Sequence, residues 1–150
     1  MLQSGRKTPV FPVAVKGVVP HRGQVLVLRS RRGRWDLPGG KIAANESVEA
    51  CLARETREEI GLVVSPLRLI DGWVRARADK PNSLVLVFLC EEIAAMTPAL
   101  GDEHVGWQLF SLADVARLDL AARYRAAIAK AMAGARETAT LLAANGRGRR

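Results

Sequence analysis

Apolar residues first come in short β-rich runs set off by turn residues. Val10 to Val19 reads as one strand or two short ones, with Pro12 inside it. Pro20-His21-Arg22-Gly23 is turn chemistry, and Gln24 to Arg29 reads as the returning strand of a hairpin. Arg31 to Arg34 is a charged loop, and Trp35-Asp36-Leu37-Pro38 leads into the pair Gly39-Gly40. The period then changes. Val48, Leu52, Thr56 and Ile60 recur at i+4 and predict a helix with that stripe buried, capped by Ser47 and ended by Gly61.

Downstream, Leu67 to Arg75 predicts a strand, and the apolar run Ser83 to Cys90 predicts a central strand buried on both faces. Glu91 to Glu103 reads as loop and Val105 to Phe110 as a short strand. Ser111 caps a final helix to about Met132 on a stripe of Leu112, Val115, Leu118, Ala122 and Ile128, with the Ala-rich 133–144 segment extending it or fraying. The expected organisation is a flexible segment over 1–8, one domain over 9–144 and a basic tail over 145–150.

Composition changes this picture little. Hydrophobic residues make up 49% and charged residues 25%, an ordinary soluble balance. Cys51 and Cys90 have no metal or redox spacing and read as small core residues of a reduced, cytoplasmic protein. Pro12 and Lys16 interrupt the first apolar stretch, so no signal peptide is expected, and no run is long enough to span a bilayer. The net charge of +8 is uneven. Arg6, Lys7, Arg147, Arg149 and Arg150 lie near the ends, while Arg29, Arg31, Arg32 and Arg34 cluster just before Gly39. That inner cluster is either a solvated hairpin edge or an attractor for phosphate.

The chemistry is concentrated on the predicted helix. Glu55, Glu58 and Glu59 share one arc of roughly 100° on a helix of 3.6 residues per turn. Carboxylates that close raise one another's pKa unless a cation joins them, and an all-oxygen set selects a hard cation, Mg2+ or Mn2+.

The stretch from Gly40 to Leu62 resembles the signature of the Nudix hydrolases (MutT-like), G-x5-E-x7-R-E-U-x-E-E-x-G-U, where U is bulky and aliphatic. Gly40, Glu46, Arg54, Glu55, Glu58, Glu59, Gly61 and Leu62 stand where the pattern requires them. Thr56 departs from it at the first U, with a shape close to Val and a hydroxyl to satisfy. The resemblance implies an α/β fold, the Nudix α/β/α sandwich with a mixed central β-sheet. It also implies a Mg2+-dependent (or Mn2+-dependent) hydrolase that cleaves the pyrophosphate linkage of a nucleoside diphosphate linked to another group. Candidate substrates are nucleoside triphosphates, including oxidised ones, and ADP-ribose-like diphosphates. RNA 5′-end pyrophosphohydrolysis and non-catalytic nucleotide sensing are the alternatives.

By the same resemblance, Glu55, Glu58 and Glu59 are the expected metal ligands with the Gly40 carbonyl. Glu46 is expected to be structural, and Arg54 to orient the cluster. The catalytic candidates are Glu58, Glu59 and the loop residue Glu103, with the general base left open among them. His104 has no required role, and His21 is expected to be exposed. On the substrate side the candidates are Arg34, Trp73 and Arg75, with Arg77 close by; Trp35 and Trp107 are expected to pack at strand ends. The expected partner is a small nucleotide, with nucleic acid disfavoured, no membrane and a homodimer possible.

Overall fold

The computed structural model describes residues 7–146. Most of the expected flexible segment (1–6) and most of the basic tail (147–150) lie outside the described residues. The elements run β1 (Val13–Val18), β2 (Pro20–His21), β3 (Gln24–Ser30), β4 (Trp35–Asp36), β5 (Gly39–Lys41), α1 (Val48–Ile60), β6 (Pro66–Arg75), β7 (Ser83–Cys90), β8 (His104–Phe110), α2 (Leu112–Val115) and α3 (Ala122–Gly146).

Two sheets of four strands form. One has the order β5-β1-β7-β6, with β1 and β7 parallel and the other neighbours antiparallel. In the other, β3 pairs with β2 and β4 along one edge and with β8 along the other. Side-chain alternation then divides the interior in two. Val25 and Val27 of β3 join Ala14, Val18, Val85 and Val87 in a core closed by α2 and α3. Leu26 and Leu28 join Val15, Val19 and Cys90 in a core closed by Cys51, Leu52 and Ile60 of α1. The result is a mixed α/β sandwich with helices on both faces.

Helix α1 follows from its sequence. The Ser47 hydroxyl accepts the Ala50 N–H at 3.1 Å, and Gly61, at φ +68°, donates its N–H to the Arg57 carbonyl. Leu52, Thr56 and Ile60 are buried and Val48 is half-buried, close to the expected stripe. The Thr56 hydroxyl donates to the Leu52 carbonyl at 2.7 Å, so the departure from the signature leaves no buried polar group unpaired.

Two expectations need correction. Strand β7 is interior to its sheet but is not buried on both faces. Val85, Val87 and Leu89 are buried against α3, whereas Leu84, Leu86 and Phe88 are only half-buried. The neighbouring Leu69 and Val74 of β6 are exposed on that second face, which the core under α1 reaches on β7 only at Phe88 and Cys90. The final helix is not continuous either. It breaks between Val115 and Ala122, where Leu120 is buried and Arg125 donates to the carbonyls of Leu118 and Leu120 at 3.2 and 2.7 Å. The stripe that α3 buries is Tyr124, Ala127, Ile128, Ala131 and Met132, the i, i+3, i+4, i+7, i+8 pattern. Residues 133–144 continue the helix and do not fray. No helix of the described residues is long and apolar enough to cross a membrane.

Thr56→Val should change unfolding free energy by less than about 1 kcal/mol, because its hydroxyl serves only the preceding turn of its own helix. A urea titration showing a loss above about 2 kcal/mol would mean that the hydroxyl carries a structural load.

Candidate functional site

The site is built where α1 presses on the glycine strand β5. Gly39 has φ +124°, and a Cβ there would strike the Val15 carbonyl. A Cβ on Gly40 would strike the Glu55 carboxylate. The bare Gly40 therefore lets the acidic edge of the helix lie directly on the strand, and the bare Gly39 lets the strand lie close against β1. The Gly39 N–H donates to Glu59 Oε1 at 2.7 Å. The loop after β7 closes the same end: Ala99 and Gly101 N–H groups donate to the carbonyls of Ile60 and Glu59, both at 2.8 Å. These two contacts satisfy carbonyls in the last turn of α1 that have no helical partner.

The three motif glutamates occupy different environments. Glu59 is buried, the Glu55 side chain is 16% exposed and that of Glu58 is 62% exposed. Arg54 donates to both oxygens of Glu46 at 2.7 and 2.9 Å and to Glu55 at 2.8 Å, and lies 3.7 Å from Glu58. Its primary partners are thus Glu46 and Glu55, not Glu58, the residue four positions on. Hydrogen bonds from Arg54 and the Ala43 N–H hold the Glu46 carboxyl down at about 2. Burial pushes Glu59 the other way, up to about 7, against the pull of the Lys16 ammonium and the Gly39 N–H. His104 Nε2 lies 3.4 Å from Glu59 Oε2, and its Nδ1 is buried without a partner. Burial, together with Lys16, lowers the His104 pKa below its usual value, so at neutral pH this contact is polar and not an ion pair.

Oxygen donors of the kind a hard cation takes line this edge. Among the described residues, however, no three His, Cys, Asp or Glu side chains converge to hold a metal ion. Arg54 explains part of this, because its guanidinium engages Glu55 and approaches Glu58. The Gly40 carbonyl faces the Cys51 thiol at 3.7 Å.

Behind β5 lies a residue that the sequence reading passed over. Lys16 of β1 is buried, and its ammonium donates to Asp36 Oδ2 at 3.0 Å and to the carbonyls of Leu37 and Gly39, both at 3.1 Å. Burial pushes its pKa down, but the charges of Asp36, Tyr124 and Glu59 more than reverse this and leave it raised. Its signal was present as a lone lysine inside Val13-Ala14-Val15-Lys16-Gly17-Val18, at an inward position where a charge needs partners.

Asp36 also lines a cavity of about 450 Å³ shared with Ser30, Arg34, Trp35, Arg75, Arg77 and Tyr124. Of the substrate-side candidates, Arg34 and Arg75 therefore meet in one place, and Trp73 does not join them. The Trp73 ring packs on Tyr124 at 5.6 Å and is covered by the Arg123 guanidinium at 4.6 Å. The basic cluster is similarly divided. Arg29 stacks over Trp35, Arg31 donates twice to the Asp102 carbonyl, and Arg34 lines the cavity. Glu103 is exposed, next to His104 and so at the Glu59 end of the site. His21 is buried, contrary to expectation, with Nδ1 against the Ile93 carbonyl.

Comparison with known proteins gives a consistent picture. The family described as NUDIX domain matches residues 10–131. A putative 8-oxo-dGTP diphosphatase 2 of Mycobacterium tuberculosis is 45% identical over 64 residues, covering 39% of this chain and 45% of that protein. The NAD-capped RNA hydrolase NudC of Pseudomonas aeruginosa is 36% identical over 100 residues, 63% of this chain and 34% of that one. The chain thus matches less than half the length of these curated relatives. The crystal structure of a MutT protein from Methanosarcina mazei Go1 superposes with a TM-score of 0.72 at 26% identity, over 81% of this chain and 92% of the other.

Lys16→Met tests the buried clamp. It removes the donor shared by two carbonyls and Asp36 at nearly constant volume, and should cost about 1–3 kcal/mol in urea unfolding, toward the low end because Asp36 is partly solvated. A loss below about 0.5 kcal/mol would show that the segment 36–39 holds itself.

Proposed function

Because the chain belongs to the Nudix family, we propose that it is a hydrolase of nucleotide pyrophosphate linkages, dependent on Mg2+ or Mn2+. The observation that carries this reading is the acidic edge of α1 lying on the side-chain-free Gly39-Gly40 strand. The donor set suits a hard cation: carboxylates and a backbone carbonyl, with Glu59 buried deeply enough that a cation is the natural way to keep it charged. Glu55, Glu58 and Glu59, with the Gly40 carbonyl, would hold it. There the ion would neutralise phosphate oxygens and lower the pKa of a bound water.

The remaining work falls to the protein. Gly39 fixes Glu59 through Oε1 and leaves Oε2 beside His104. Arg54 fixes Glu46 and Glu55 and sets the rotamers of the cluster. The cavity beside Trp35, Tyr124, Arg34 and Arg75 receives the nucleoside end, and Lys16 ties it to the glutamates through Asp36 and Gly39. Trp73 takes no part, since Tyr124 and Arg123 already engage its ring. Nucleoside triphosphates, oxidised ones among them, and ADP-ribose-like diphosphates are the substrates this arrangement suits.

Glu58→Gln and Glu59→Gln should each lower kcat by roughly 10²-fold or more at saturating Mg2+, with the circular-dichroism melt preserved for the exposed Glu58. Full turnover in EDTA, or in both variants, would end the metal assignment. Glu103→Gln should reduce kcat at least tenfold less than Glu59→Gln does, because Glu103 is exposed while Glu59 lies between Gly39 and His104. Equal losses would move proton abstraction to the loop.

A further inference from the structure

The cavity beside β4 carries more positive charge than a neutral nucleoside requires. Three guanidinium groups line it, those of Arg34, Arg75 and Arg77, against the carboxylates of Asp36 and Asp79. Asp36 is already matched by Lys16 from behind. Among the described residues none of the three arginines forms an ion pair with a carboxylate. Arg75 is the most informative of them. Its Nε is buried with no hydrogen-bond partner, and its Nη1 reaches only the Tyr124 hydroxyl, at 3.5 Å. Directly across the β6–β7 ladder, the buried Ser83 hydroxyl is also without a partner. Buried donors are ordinarily satisfied, so an orphaned guanidinium N–H in the wall of a cationic cavity points to a missing acceptor. A fork of N–H groups matches the oxygens of a phosphate better than any neutral group.

The scissile linkage has to reach the acidic edge of α1, whereas these arginines line the cavity beside β4, which Lys16 joins to β5 through Asp36 and Gly39. We propose that Arg34, Arg75 and Arg77 form a second anion site that takes a phosphate carried on the ribose of the substrate, remote from the scissile pyrophosphate. The inference rests on the reading that this cavity receives the nucleoside end. Two sources supply such chemistry: a phosphomonoester on the ribose of a small nucleotide, and the 3′-phosphodiester that follows the first nucleotide of an RNA.

Binding separates this site from the reaction. In EDTA, isothermal titration should give adenosine 3′,5′-bisphosphate at least about tenfold tighter binding than adenosine 5′-monophosphate, with the advantage shrinking as salt rises. Arg75→Gln and Arg77→Gln should each reduce it to within about threefold. Arg77 is exposed, so Arg77→Gln carries the test if Arg75→Gln fails to fold. Equal affinities for the two ligands, or an advantage kept by the variants, would overturn the proposal. Turnover identifies the source. Adenosine 5′-triphosphate, its 3′-phosphorylated form and a 5′-triphosphorylated dinucleotide are compared by KM. A lower KM for the monoester alone assigns small nucleotides, and one for the dinucleotide as well assigns RNA ends. KM values indifferent to the ribose phosphate count against the site. If none of the three is hydrolysed while the bisphosphate advantage persists, the anion site stands and these triphosphates are excluded as substrates; the hydrolase reading fails only if ADP-ribose and its 2′-phosphorylated form are inert as well.

Discussion

A buried ammonium on β1 sets the geometry of everything around it. Lys16 lies inside a sheet, where an unpaired charge costs far more than the fold can spare. It therefore gathers three oxygens, Asp36 Oδ2 and the carbonyls of Leu37 and Gly39. Those acceptors come from one short segment, so meeting them bends that segment over β1 and brings Gly39 against the Val15 carbonyl, where only a residue without Cβ fits. The same bend aims the Gly39 N–H at Glu59. One charge requirement thus aligns the floor of the cavity, the glycine strand and the most buried glutamate of α1.

The helix contributes a second, opposite constraint. Its acidic residues would repel one another, and Arg54 offsets this by holding Glu46 and Glu55 together. Glu46 is bound tightly enough to stay ionised to about pH 2. Glu59 has no such guanidinium partner and is left with a neutral histidine, a backbone N–H and the Lys16 field, which do not overcome its burial. The cluster is therefore graded: firmly paired at Glu46, partly paired at Glu55, solvated at Glu58 and starved of positive charge at Glu59. A cation site proposed there would draw on the last two and compete with Arg54 for Glu55.

The sequence made some of this legible and hid the rest for physical reasons. Helix α1 was readable because its caps, its stripe and its acidic edge are all local. The arc of Glu55, Glu58 and Glu59 was readable through helical spacing, and Gly40 and Glu46 through the resemblance to the Nudix signature. The break between α2 and α3 was not, because neither Gly nor Pro marks it; the chain leaves the helix so that Leu120 can be buried, a tertiary demand. Strand β7 misled because an unbroken apolar run looks the same whether its second face is fully or only partly covered. The cavity as an assembled space could not be read, although three of its arginines, Arg34, Arg75 and Arg77, were picked out by charge. Its walls come from residues 30–36, 75–79 and 121–124, joined only when β4, the end of β6 and the start of α3 meet. Trp73 was chosen by type and neighbours, and what packs on its ring, Tyr124 and Arg123, comes from a helix distant in sequence that those local signals do not reveal.

The distribution of charge gives the two halves of the site different tasks. The chain carries +8 overall, yet the edge of α1 is acidic and the cavity wall beside Trp35 is basic. On the reading proposed above, a polyanion approaching from solvent is drawn by the arginines and repelled by the glutamates, so the basic half would hold a nucleotide before the acidic half accepts its phosphates. On the proposed reading, only a divalent ion makes the second half attractive, and it does so next to a linkage that the first half has already positioned. Arginines placed on the helix in its stead would also bind the phosphates, but they could not lower the pKa of an attacking water. The glutamates are thus only partly free of fixed positive charge: Arg54 is anchored on both oxygens of Glu46 but also holds Glu55, so a bound cation has to share Glu55 with it and finds its unshared carboxylates at Glu58 and Glu59.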